Sequence, residues 1–140
     1  MAEALFAAYL ANEHPEADIE VTSAGIGGWH QGQHADHRTR EELAAAGIDG
    51  SYLRASQVTD YDLTADVLVA MDHTHVRDLE LLGAESERIH LMRDFDPASE
   101  PGSVVDDPYY GGPHGFTVTR MQITAGLDGL YDYVVSLSAD

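Results

Sequence analysis

Residues 67–79 read VLVAMDHTHVRDL, and the two halves of that stretch obey different periodicities. VLVAM is an unbroken apolar run, the pattern of a strand buried on both faces. Asp72 follows it, a residue type whose side-chain oxygen caps a helix N-terminus. A helix is predicted over residues 74–82, stopped by Gly83.

The alternation extends in both directions. Residues 19–23 (IEVTS) alternate apolar and polar as a strand does and run up to Gly25, and residues 89–92 (IHLM) predict a short third strand. Helices are predicted over residues 1–12, where Leu5, Phe6, Tyr9 and Leu10 share a face, and over residues 38–46 (RTREELAAA), ended by Gly47. A last helix starts near Phe116 and turns Met121, Ile123, Leu127, Leu130 and Val134 inward. Residues 94–115 form a loop bearing glycine and proline. Strands alternating with helices predict an α/β fold, a parallel sheet with helices on both faces. The length of 140 residues suits one domain over residues 1–140. Yet only three strands are predicted, and the chain opens inside a helix with no strand feeding it. That is the place where an α/β fold builds its anion site.

Composition narrows the chemistry. Acidic residues number 25 against seven arginines, with no lysine, for a formal charge of −18. Such a surface repels nucleic-acid backbones and anionic membranes. There is no cysteine, so disulfides, thiolate metal sites and thiol catalysis are excluded for these residues. Missing lysine excludes a Walker lysine and a Schiff base. The opening MAEALFAAYLA has no basic start and carries Glu3, a poor signal peptide, and no later run reaches membrane-spanning length. A cytoplasmic protein is expected.

Residues 104–112, VVDDPYYGG, set an acid beside two aromatic rings. Pro108 restricts the backbone of Asp107 and helps aim its carboxyl, although Asp106-Asp107-Pro108 also reads as an acidic turn. Tyr109 and Tyr110 either line a cleft or pack the loop. Trp29 sits after Gly27-Gly28 in a loop that favours exposure, yet a lone tryptophan also packs. Histidines 30, 34 and 37 have helical spacing and His73 with His75 could share a strand face, but no metal ligand set closes. No histidine or aspartate stands in the pattern of a phosphatase nucleophile.

Together MAEALF, SAGIGGWHQG, GIDGSYLRASQVT, DVLVAMDHTHVRDL and DDPYYGG resemble, in order and spacing, the low-molecular-weight protein-tyrosine phosphatase family. The resemblance implies a flavodoxin-like (Rossmann-like) topology and hydrolysis of phosphotyrosine in proteins, or of small aryl phosphates, through a phosphocysteine, without metal or organic cofactor. It implies Asp107 as general acid, Trp29, Tyr109 and Tyr110 as substrate-facing residues, and Ser23 and Asp72 as side chains that hold the phosphate loop. That loop, of pattern C-x5-R-S/T-P, and the central strand before it have no counterpart here; in the family they precede the methionine that Met1 matches. Where the family commonly has histidine before Gln-Val-Thr, this chain has Tyr52-Leu53-Arg54.

Three explanations follow: a gene start assigned at an internal methionine, a non-catalytic phosphatase-like binding protein, or an arsenate reductase of the sibling family, whose further cysteines are lacking. The chain as written is expected to be inactive. Without the central strand, two buried strands keep unpaired edges, and each orphaned polar group costs about 1–3 kcal/mol. The 140-residue chain is therefore expected to aggregate or to form a homodimer through the slot. Light scattering on the purified protein checks this, and a stable, monodisperse monomer would refute it.

Overall fold

An alanine-rich segment with one apolar stripe folds as α1, Ala2–Glu13, and buries Ala4, Leu5, Phe6 and Leu10. The computed structural model describes residues 1–28, 31–108, 112 and 114–138. Its chain divides into two compact units, Met1–Val58 and Thr59–Asp140.

In the first unit, residues 19–23 keep the predicted alternation: Ile19 and Val21 are half-buried, while Glu20 and Thr22 are exposed. They form no strand, which corrects the expectation. A strand exists through its ladder, and among the described residues no partner strand runs beside this segment. Pairing begins just beyond it. The Gly25 N–H donates to Ser56 O at 2.7 Å, and the Val58 N–H returns to Gly25 O at 2.9 Å. The second helix, α2, His37–Ala45, is capped by Asp36, whose carboxylate accepts from the Arg38 N–H at 2.8 Å. It ends before Gly47, whose φ of 80° is the left-handed conformation that favours glycine. Leu43, wholly buried, anchors it.

The second unit is built on a strand–helix–strand element. Strands β1, Leu68–Ala70, and β2, Ile89–Leu91, pair in parallel, with Leu68 opposite Ile89 and Ala70 opposite Leu91. Helix α3, His73–Leu81, connects them and packs on both. Parallel pairing needs such a crossover, and the sequence supplies its start with Asp72 and its stop with Gly83, at φ 104°. Leu68 and Val69 are half-buried, and only Ala70 is fully buried. The apolar run is therefore less enclosed than a strand covered on both faces. Its outer edge explains this, since β1 pairs with β2 alone among the described residues.

A 3-10 turn, Met92–Phe95, follows β2 and carries the buried Met92. The predicted single C-terminal helix is in fact two: α4, Gly115–Thr124, and α5, Leu127–Leu137. Close backbone approach at the turn breaks the helix. A Cβ at Gly126 would lie 2.8 Å from Met92 Cε and 3.0 Å from Met92 O. One at Gly129 would overlap the Phe95 carbonyl oxygen. Met121 is 60% exposed rather than inward, because it lies two residues, about 200°, from the buried Ile123 on α4, whereas Ile123, Leu127 and Leu130 are buried as predicted. No helix among the described residues is long and apolar enough to cross a membrane.

The Gly129 contact makes a test whose sign is informative. On an open helix surface, alanine for glycine adds about 1 kcal/mol of stability. Here the added methyl group must push α5 off the turn, so Gly129→Ala is expected to lose about 1–3 kcal/mol. The midpoint of urea unfolding measures it.

Candidate functional site

Chemistry-bearing residues of the second unit gather at the C-terminal end of β1, the end at which open α/β sheets place their sites. The strand runs into Met71 and then Asp72. Asp72 Oδ1 accepts the His75 N–H at 2.9 Å, the capping bond expected of it. The long loop returns to the same point. The Val105 N–H donates to Met71 O at 2.8 Å, and Val105 is buried. Two residues later stands Asp107. The bond sets Val105, two positions ahead of Asp107, beside Met71, the residue before Asp72.

The loop reaches that point under restraint. His73 Nε2 lies 2.9 Å from Gly102 O, and the Gly102 N–H donates to Asp94 Oδ1 at 3.0 Å. Arg93 donates from Nη1 to Val104 O at 3.1 Å, and the Ser99 hydroxyl donates to Arg93 O at 2.6 Å. Beyond Val105 the loop is gripped by α4. The Asp106 N–H donates to Gln122 Oε1 at 3.1 Å, and Gln122 Nε2 donates to Asp106 Oδ2 at 3.0 Å. The Thr119 hydroxyl donates toward Asp106 O at 3.0 Å. The start of α4 also presses on Pro108, where a Cβ at Gly115 would lie 3.0 Å from Pro108 O. Asp107 is exposed, as a proton donor for an incoming molecule has to be. The sequence reading missed Thr119 and Gln122; their signal was helical spacing, i and i+3, on the face of α4.

The first unit holds a second polar cluster. Ser23 Oγ donates to Glu3 Oε1 at 2.6 Å, and Ser56 Oγ donates to Ser23 O at 3.2 Å. Tyr52, in the Tyr52-Leu53-Arg54 block where the family commonly has histidine, feels the Glu3 charge. Although Tyr52 is 52% exposed, its phenol is pushed up, first by partial desolvation and then by the Glu3 and Asp49 carboxylates. Arg54 Nη1 donates to Ser51 O at 2.7 Å and to Leu53 O at 2.9 Å, and so closes the turn that carries Tyr52. Glu3 went unread as a site residue, although its first-turn position favours an acid there. His73 spends its ring nitrogen on the loop, and His75 Nδ1 lies 3.7 Å from Asp72. The expected substrate-facing residues Trp29, Tyr109 and Tyr110 lie outside the described residues.

The family described as low molecular weight phosphotyrosine protein phosphatase matches residues 1–139. Low molecular weight protein-tyrosine phosphatase A of Mycobacterium tuberculosis is 42% identical over 135 residues, which span 96% of this chain and 82% of that protein. The low molecular weight protein-tyrosine-phosphatase of Streptomyces coelicolor is 36% identical over 134 residues, spanning 93% and 82%. Among solved structures, YfkJ of Bacillus subtilis superposes with a TM-score of 0.87 at 31% identity, covering 98% of this chain and 86% of that one. The α/β fold read from the alternation is thus the flavodoxin-like one.

The Tyr52 environment yields a titration. A raised phenol pKa means that the folded chain keeps a proton the unfolded chain has lost. That contribution to stability is full below about pH 10 and is lost as pH rises through the folded value. Glu3→Gln removes one of the charges responsible and is expected to lower the Tyr52 midpoint. Tyrosinate absorbance against pH, taken as the difference from Tyr52→Phe, measures the shift. An unchanged midpoint would mean that the Glu3 charge does not act on Tyr52.

Proposed function

Because the chain belongs to the low molecular weight phosphotyrosine protein phosphatase family, we propose that it carries the general-acid side of a phosphotyrosine hydrolase, with Asp107 as the acid. The observation that supports this reading most is the Val105–Met71 hydrogen bond, which sets the Asp106-Asp107-Pro108 segment at the end of β1. The substrate class is a phosphotyrosine protein or a small aryl phosphate.

In this reading a thiolate attacks phosphorus, an S–P bond forms, and the bond from phosphorus to the phenolic oxygen breaks. A phenolate leaving group would carry away a charge that water near neutral pH stabilises poorly, since tyrosine has a pKa of about 10. Asp107 gives its proton to that oxygen as the bond breaks, and water then hydrolyses the phosphocysteine. Ser23 and Asp72 serve as supports of the phosphate loop. By family resemblance, Tyr109 and Tyr110 are assigned to sandwich the substrate ring, with stacking worth about 0.5–1.5 kcal/mol beyond buried area, and Trp29 is assigned as substrate-facing.

No residue of this chain supplies the thiolate, because it contains no cysteine. We therefore assign it no turnover of its own. Activity requires a C-x5-R-S/T-P loop and its strand, whose backbone N–H groups and arginine would hold the phosphoryl oxygens.

Hydrolysis of p-nitrophenyl phosphate tests this with two proteins: the chain itself and the chain extended at Met1 by such a strand and loop. The expected result is none for the first and turnover for the second. In the extended chain, Asp107→Asn is expected to lower kcat on phenyl phosphate by about 10²–10⁴-fold, the usual contribution of a general acid. Brisk hydrolysis by the unextended chain, lost in its own Asp107→Asn variant, would mean that another group attacks phosphorus.

A further inference from the structure

Two adjacent carboxylates, Asp106 and Asp107, stand where one acid is needed, and residue type cannot choose between them. The family motif names Asp107, directly before Pro108, and the hydrogen bonds of the second unit show how its neighbour Asp106 is held. α4 takes hold of Asp106 at every polar group it has: its N–H, one carboxylate oxygen and its carbonyl. Gln122 makes two of these contacts with one side-chain amide, as acceptor for the N–H and donor to the carboxylate. The Thr119 hydroxyl makes the third while also lying 3.0 Å from Gly115 O, one turn back in its own helix. It has one proton for two acceptors.

We infer that Gln122 is the positioning residue of the general acid: it fixes the Asp106 peptide unit and thereby aims Asp107, one residue further on. The inference rests on the phosphatase reading, which it deepens. The reasoning is geometric. With Asp106 held at its N–H and side chain by Gln122, the backbone entering Asp107 loses rotational freedom. Pro108 restricts the backbone on the other side. An acid contributes to the rate only when it is aligned with the departing oxygen, and small displacements cost much of that contribution. Asp106 Oδ2 accepts from Gln122 Nε2, which ties its side chain to α4. Gln122 itself touches no reacting atom.

Gln122→Met tests the role, because methionine keeps the volume and helix propensity of glutamine and removes both hydrogen bonds. In the chain as it stands, amide hydrogen exchange reads the grip directly. Exchange at Asp106 is expected to rise about fivefold, the worth of one ordinary hydrogen bond, with the α4 amides unmoved. Unchanged exchange at Asp106 would overturn the proposal.

In the loop-extended chain the leaving group gives the second readout. Phenyl phosphate expels a phenol as basic as tyrosine's, whereas p-nitrophenyl phosphate expels one that needs little help. Gln122→Met is expected to lower kcat about tenfold on the first and less than about twofold on the second, with KM unchanged. Added to Asp107→Asn, it is expected to cost nothing more, since it acts through that carboxyl. Equal losses on the two substrates, or additive losses in the double variant, would defeat the positioning role while leaving the phosphatase reading intact. No turnover by the extended parent would defeat that reading, and the role of Gln122 with it.

Discussion

One backbone hydrogen bond, from the Val105 N–H to Met71 O at 2.8 Å, joins the strand built by the apolar run to the loop that bears the acid. It lies beside the buried Val105 side chain, where exchange with water is unfavourable and a lost partner would leave a carbonyl unsatisfied, at a cost of about 1–3 kcal/mol. Everything proposed for Asp107 depends on that attachment. Met71 directly follows β1, so the loop rejoins the chain at that strand's end. Asp72, next in the chain, uses its side chain to start α3. A single strand end therefore launches a helix and receives a loop.

The restraints on that loop are graded. Before Val105 they come from scattered side chains: His73 on Gly102, Asp94 on the Gly102 N–H, Arg93 on Val104. After Val105 they concentrate on Asp106. The Arg93 bond carries a cost, for its Nε is buried with no hydrogen-bond partner. A loop that served only to connect β2 to α4 would need none of this. Packing at Val105 and hydrogen bonding at Asp106 leave Asp107 exposed on a held segment, the condition an acid must meet to be reachable.

What the sequence revealed follows the range of the interaction behind each feature. α1, α2 and α3 were legible nearly to their ends, and so was the Asp72 cap, because spacing and capping act within a turn of helix. The strand expected at residues 19–23 kept its alternation but not its ladder. Alternation belongs to the segment, whereas pairing belongs to a second one. The break between α4 and α5 was invisible for the same reason. Gly126 and Gly129 answer to Met92 and Phe95, which lie more than thirty positions earlier, and an apolar stripe that continues through them reads as one helix. In the site, Asp107 and Asp72 were named from short motifs. Glu3, Thr119 and Gln122 were not, since each matters only through a contact with a distant residue.

Charge explains why an acid on this chain would be idle by itself. The substrate in the phosphatase reading is an anion, and the formal charge of the chain is −18. Counter-charge would have to come from the arginines, but the structure spends most of them on shape. Arg38 forks onto the Asp36 carboxylate, Arg88 pairs with Glu85, and Arg40, Arg54 and Arg93 donate to backbone carbonyls. Repulsion between a phosphoryl group and a carboxylate amounts to about 1 kcal/mol per charge at 4 Å even in water. A general acid accelerates only what is already bound. In this family of reactions the binding must be supplied by donors concentrated at the phosphate itself, backbone N–H groups and one arginine in a C-x5-R loop, because the surface as a whole opposes it. Nucleophile and anion cradle are thus a single requirement, and the acid has no chemical effect until both are met together.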